Sequence, residues 1–160
     1  MKAITIRQPW ATLIMLREKH FETRSWKTNY RGPIAIHAGL VVDFDALNEP
    51  LIAIALKSHG YKTISDLPTG AIIGRAMMTN CFKSIDMCAD GYLLEGDRYI
   101  ASPESYYGDF TVGRFAWELT EVEQWNESVE AKGKQGLWEW DHERVATIDQ
   151  GAEGRDGTRA

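Results

Sequence analysis

Long apolar runs are missing from this chain of 160 residues. The longest, Leu51–Leu56, has six residues against the ~20 that a membrane-crossing helix needs, so neither a span nor a membrane partner is expected. Behind Met1 the apolar stretch is too short for a secretory leader and already alternates like a strand. Cysteine is scarce as well. Cys81 and Cys88 have no histidine near them, and their spacing suits neither a zinc knuckle nor a disulfide framework. Reduced thiols, a cytoplasmic location and no metal are the expectation. Phosphate-binding P-loops and Ser-His-Asp orders are also absent, and no cofactor is expected. Nor is there an excess of positive charge: 18 Lys+Arg face 23 Asp+Glu, a net of −5. That balance argues against sequence-independent coating of nucleic acid, which needs a broad positive surface.

What is present is ordinary in amount and uneven in placement. Hydrophobic content of 44% and charged content of 26% are globular values, and the length suits one domain plus a tail. Residues 1–37 hold seven basic and two acidic side chains, a net of +5, which leaves −10 for residues 38–160. One basic segment on an acidic body is compatible with a small anionic ligand or a short strand held at one place.

Lys2–Ile6 alternates polar and apolar and reads as a strand. Pro9 opens a helix whose apolar stripe is Trp10, Leu13 and Ile14, with its end expected near Lys19–His20. Phe21–Lys27 and Pro33–Ala38 read as strands. Asp43 or Asp45 caps a helical stretch that Gly60 ends, and Pro50 near its middle predicts a kink or two short helices. Ala71–Phe82 and Phe110–Val122 read as strands, Ser84–Glu104 as a long loop with short elements, and Leu137–Trp140 closes the compact part. Residues 1–141 form the expected domain, and 142–160, without aromatics, the expected flexible tail. Short strands with two helices point to a mainly β, α+β architecture, a small β-barrel with helical covers.

The densest chemistry lies in Arg7–Gly32: Arg-Gln-Pro-Trp-Ala, then Lys-His-Phe-Glu-Thr-Arg-Ser-Trp, then Tyr-Arg-Gly. Lys19 sits at the expected helix end, while Glu22 and Arg24 share one face of the next strand, with Trp26 continuing it. An ammonium and a guanidinium there can clamp a phosphate or carboxylate, a carboxylate can accept a base amino group, and Trp10 or Trp26 can stack a ring. The sequence leaves each residue a duller role. Glu22 and Arg24 can be a structural ion pair, Trp10 heads the helix's core stripe, and Arg31 can simply solvate a turn. His37 alternates with isoleucines, and Thr23 is expected on the opposite strand face from Glu22. Lys132 and Lys134, beside Gly133 and Gly136, suit either a basic loop over the site or a solvated turn.

Lys19, Glu22 and Arg24 stand where the ASCH domain (activating signal cointegrator 1 homology) has its Gly-x-Lys-x-x-Glu-x-Arg signature. The match extends to Gln8-Pro9-Trp10-Ala11, Arg24-Ser25-Trp26, Thr28 and Arg31-Gly32. Gly113–Leu119 resembles the late aromatic strand of these domains, and Lys132–Trp138 resembles an ending common in bacterial and phage members. One position departs from the pattern: Arg17 replaces the signature glycine, so either the helix runs further or its terminal turn differs. The resemblance implies a PUA-like fold with a cleft between the first helix and the next strand. It implies a module binding RNA, single-stranded nucleic acid or a nucleotide through Gln8, Trp10, Lys19, Glu22, Arg24, Trp26, Arg31, Lys132 and Lys134.

The same resemblance implies two enzymatic alternatives. Small ASCH-like enzymes are hydrolases that deacylate N4-acetylcytidine using the signature lysine, a threonine and a glutamate. Here Glu22 occupies the threonine's place, so Lys19 and Glu22 would be the catalytic pair, with Glu22 as general base. A ribonuclease is the other enzymatic option. A non-enzymatic regulatory domain would keep the fold and dispense with Lys19.

Overall fold

The computed structural model describes residues 1–141, so the expected tail at 142–160 lies outside the described residues. Eight strands are present among the described residues: β1 (Lys2–Gln8), β2 (Phe21–Arg24), β3 (Gly32–Val42), β4 (Ala71–Cys88), β5 (Gly91–Leu94), β6 (Arg98–Ala101), β7 (Phe115–Glu130) and β8 (Leu137–Glu139). The helices are α1 (Trp10–Met15), α2 (Phe44–Leu47) and α3 (Pro50–Ser58). The sheet path runs β2-β7-β4-β3-β1-β8, with β5 and β6 attached beside β4. All recorded pairings are antiparallel except that of β1 with β3.

This mainly β, α+β arrangement is not the expected closed barrel. Along the path β2 and β8 are ends that do not pair with each other. Three register breaks between β4 and β7 supply the bending instead. Each adds local twist, so two very long strands curve without bringing the sheet ends together.

Alternation along β1 decides which layer each residue joins. Ile4 and Ile6 enter the main core with Ala11, Ile14 and Met15 of α1, Ile34 and Ile36 of β3, and Trp117 of β7. Ala3 packs on a separate cluster with Ala35, Ile72, Trp138 and Trp140. Arg7 alternates outward and is exposed. At Gly74 the first layer closes tightly: a Cβ there would lie 2.3 Å from the Glu123 carbonyl oxygen and 2.4 Å from Met15 Sδ.

Helix α1 ends earlier than the sequence predicts. Arg17 N–H bonds to Ile14 O at 3.0 Å and Glu18 N–H to Leu13 O at 3.1 Å, the paired bonds of a Schellman termination. That motif needs a left-handed residue, and Arg17 provides it at φ 60°. Positive φ is thus retained where arginine replaces glycine. The turn sends the chain back so that Lys19 N–H also reaches Leu13 O, at 3.1 Å.

Elsewhere the expectations and the structure diverge mainly in extent. Asp43 Oδ1 accepts from Ala46 N–H at 3.0 Å and caps α2, while Pro50 opens α3, giving the two short helices. The segment expected to be a loop, Ser84–Glu104, contains the end of β4 and the β5–β6 hairpin. Leu94 and Ile100 are its buried anchors, packed with Phe21 and Phe110. Strand β2 stops at Arg24, short of the expected Lys27.

Candidate functional site

Lys19 follows directly from the α1 turn. Its side chain is almost fully buried, and Nζ donates to the Tyr107 carbonyl. Nζ also lies 3.8 Å from Glu22 Oε2 and 5.4 Å from the centre of the Trp10 ring. Glu22 and Arg24 sit two apart on β2, and Arg24 Nε donates to Glu22 Oε1 at 3.1 Å. Arg24 Nη2 donates to the Thr5 carbonyl at 2.9 Å, one residue past the end of the β1–β8 pairing at Ile4. One carboxylate therefore lies between an ammonium and a guanidinium, and the guanidinium ties β2 to β1.

These side chains line a cavity of about 610 Å³ that also includes Arg7, Asp43, Asp109 and Arg114. Four basic and three acidic side chains line it, so its polarity comes from alternating charge. Arg114 Nε is 3.3 Å from Asp109 Oδ2. Arg7 is exposed and ion-paired to no described residue. Gly108 forms a close wall: an added Cβ would stand 3.2 Å from Lys19 Nζ and 3.1 Å from Thr23 Oγ1.

Burial pushes the Lys19 ammonium below its ordinary value of 10.5; Glu22 and Glu104 oppose that shift, and Arg24 adds to it. Desolvation penalises the charged form, and the neighbouring carboxylates only partly restore it. The amine is therefore more readily deprotonated than a surface lysine. Chemically, the set offers a dry cation, an adjacent carboxylate, a ring and a rim of arginines. Among the described residues no group of three His, Cys, Asp or Glu side chains is placed to hold a metal ion. No helix among them is long and apolar enough to cross a membrane.

The other sequence candidates sit elsewhere. Gln8 is fully buried; its Oε1 accepts from Thr12 N–H at 3.0 Å and its Nε2 donates to Pro68 O at 2.7 Å. It closes the first turn of α1 behind Pro9, and the cavity lining does not include it. Trp26 lies edge-on to Trp117, with ring centres 4.6 Å apart, and is partly exposed outside the lining. Arg31 Nη1 bonds to the carbonyls of Thr28 and Tyr30, its own turn. Lys132, Lys134 and His37 line a different cavity. Thr23, expected on the opposite face, does line the first one, because the Gly108–Asp109 loop folds over β2 and Asp109 N–H donates to Thr23 Oγ1 at 3.1 Å.

Arg7, Arg114 and the Tyr107–Asp109 loop are the parts that sequence reasoning missed. Arg7 had a usable signal, since β1 alternation turns it outward beside Pro9. The loop had none, because its partners are on β2 and in the turn after α1, more than 80 residues earlier.

The model of the ASCH domain matches residues 4–147 of this chain. The chain belongs to the ASCH domain family. Among solved structures, an ASCH protein from Zymomonas mobilis matches at 14% identity and TM-score 0.50, covering 93% of both chains. A tyrosine-to-phenylalanine mutant of the same Zymomonas mobilis protein matches at 15% identity and TM-score 0.51, covering 93% of this chain and 96% of that one. At such identities the likeness speaks for the fold alone. No curated protein matches this chain. Within this ASCH domain, the signature lysine, glutamate and arginine are the three residues brought together at the cavity.

Proposed function

We propose that this ASCH domain is an RNA-binding module whose cavity takes one unpaired nucleotide of a single strand. The observation that carries the reading is the Lys19–Glu22–Arg24 set, with Trp10 beside it, opening into a cavity rimmed by Arg7 and Arg114. A base enters toward Trp10, where Glu22 accepts from an exocyclic amine and Lys19 donates to a ring carbonyl. Phosphates stay at the rim, on Arg7 and Arg114, where guanidinium groups bind them in a fork. An acidic body discourages binding elsewhere, which suits recognition at one place.

Salt dependence tests the division between depth and rim. Each phosphate neutralised on single-stranded RNA contributes about −0.7 to the log–log slope. Arg7→Ala is expected to make the slope shallower by about 0.7 while leaving base preference intact. An unchanged slope would remove Arg7 from the rim.

A second reading is supported by the lowered Lys19 ammonium beside Glu22: hydrolysis of an acylated nucleoside such as N4-acetylcytidine. Glu22 would take a proton from the water that attacks the acetyl carbonyl, Lys19 would stabilise the developing oxyanion, and the proton on Glu22 would pass to the N4 nitrogen as the C–N bond breaks to release acetate. Acetate release that Glu22→Gln abolishes would support it; no release from acylated nucleosides would remove that class. The Lys, Glu and Arg set is also adequate for a ribonuclease, which cleavage of the bound RNA would reveal.

A further inference from the structure

Lys132 and Lys134 belong to a second cavity, about 690 Å³, between the end of β3 and the loop preceding β8. Thr5 lines both cavities, so they adjoin across β1. Arg7 is two residues from Thr5 on the strand and alternates to the same side. Outward positions of β1 therefore form a ridge with Lys19, Glu22 and Arg24 on one flank and two lysines on the other.

The floor of the second cavity holds an unmet hydrogen-bonding group. His37 is 1% exposed, and its Nε2 lies 2.7 Å from the Ala131 carbonyl. A carbonyl only accepts, so Nε2 carries the proton and Nδ1 of the neutral ring is an acceptor. That Nδ1 is buried without a hydrogen-bond partner among the described residues. It faces the loop at Gly133, where an added Cβ would stand 2.9 Å from Nδ1 and 2.7 Å from Cε1. Leu40, highly exposed, forms an apolar wall, and Lys134 leans 6.0 Å from the Trp138 ring centre. The two lysines outweigh Glu130, the one acidic side chain in the lining.

We infer that this cavity is a second nucleotide subsite, taking the neighbour of the nucleotide held at Lys19. The ring lies against Leu40, the Gly133 backbone that covers His37 Nδ1 shifts aside so that a ring N–H reaches it, and the intervening phosphodiester meets Lys132 and Lys134. This extends the proposed RNA-binding reading and rests on it. It makes the recognised unit a single-stranded dinucleotide step running over Thr5.

The test compares a mixed-sequence single-stranded RNA hexamer with the four free 5′-ribonucleotides, on the wild type, Lys19→Met and the double variant Lys132→Ala, Lys134→Ala. Both lysines are exposed, so the double variant is expected to fold normally. The double variant should bind the hexamer about tenfold more weakly, with a salt slope shallower by about 0.7 for the one phosphate no longer neutralised. Its affinity for mononucleotides should stay unchanged. In ¹⁵N NMR the unprotonated His37 Nδ1 resonance should move with the hexamer and stay still with mononucleotides. Wild-type hexamer affinity in the double variant, alongside weakening in Lys19→Met, would overturn the second subsite and leave the first intact. Equal losses for hexamer and mononucleotides would also overturn it. No hexamer binding by the wild type would overturn both readings.

Discussion

Replacing Arg17 separates two roles that the same residue plays. Its backbone sits at φ 60°, and its Nη2 donates to the Val122 carbonyl at 2.9 Å on the surface. Arg17→Ala and Arg17→Gly both remove the guanidinium bond, so that term cancels between them. What differs is the left-handed conformation, which costs a residue with a Cβ roughly 1–2 kcal/mol. Glycine gives back about 0.4–1 kcal/mol of this through greater freedom in the unfolded chain. The glycine variant should therefore be the more stable of the two by about 0.5–1 kcal/mol. In a chain of this size that is roughly 1–4 °C in melting temperature. Urea titration of both variants with a shared slope gives the difference directly. An alanine variant as stable as the glycine variant, or more so, would refute the left-handed turn and with it the route by which Lys19 is aimed inward.

Lys19→Met tests the cost of the buried ammonium. The folded value lies below the ordinary 10.5, so between those two values the unfolded chain holds more protons and wild-type stability gains as pH rises. Unfolding free energies from pH 7 to 10.5 should climb more for wild type than for Lys19→Met, and parallel curves would contradict the burial. Gly74→Ala should destabilise by about 1–3 kcal/mol, since the new methyl meets both the Glu123 backbone and Met15; a melt within 1 °C of wild type would count against that packing. Gly108→Ala crowds Lys19 Nζ and Thr23 Oγ1 at 3.1–3.2 Å, so RNA affinity should fall several-fold more than stability does, and calorimetry with a melt on one sample checks both.

Local rules carried much of this fold. Alternation in Lys2–Ile6, proline at the head of α1, Asp43 as a cap and Pro50 as a helix start each act within a few residues. The β5–β6 hairpin escaped notice because Asp and Gly residues dominate its turns and only Leu94 and Ile100 anchor it, through contacts with Phe21 and Phe110. Curvature without closure was equally hidden, since it depends on register breaks between β4 and β7.

At the candidate cavity, the signature spacing singled out Lys19, Glu22 and Arg24, whose mutual contacts are set by a short turn and a two-residue strand repeat. Gln8 stands between residues that line the cavity, while its amide serves Thr12 and Pro68. Lys132 and Lys134 suited either a cover for the same cleft or a solvated turn. The return of the chain into β8 beside β1 places them across Thr5 instead.

The central claim is that Lys19 and Arg24 form the floor of an RNA-binding cavity, and one binding measurement addresses it. Affinity of the single-stranded RNA hexamer should fall at least about tenfold in Lys19→Met and in Arg24→Ala, consistent with losing a charge-assisted hydrogen bond worth about 1.5–3 kcal/mol. Circular dichroism should show both variants folded. Wild-type affinity in both folded variants would contradict the account.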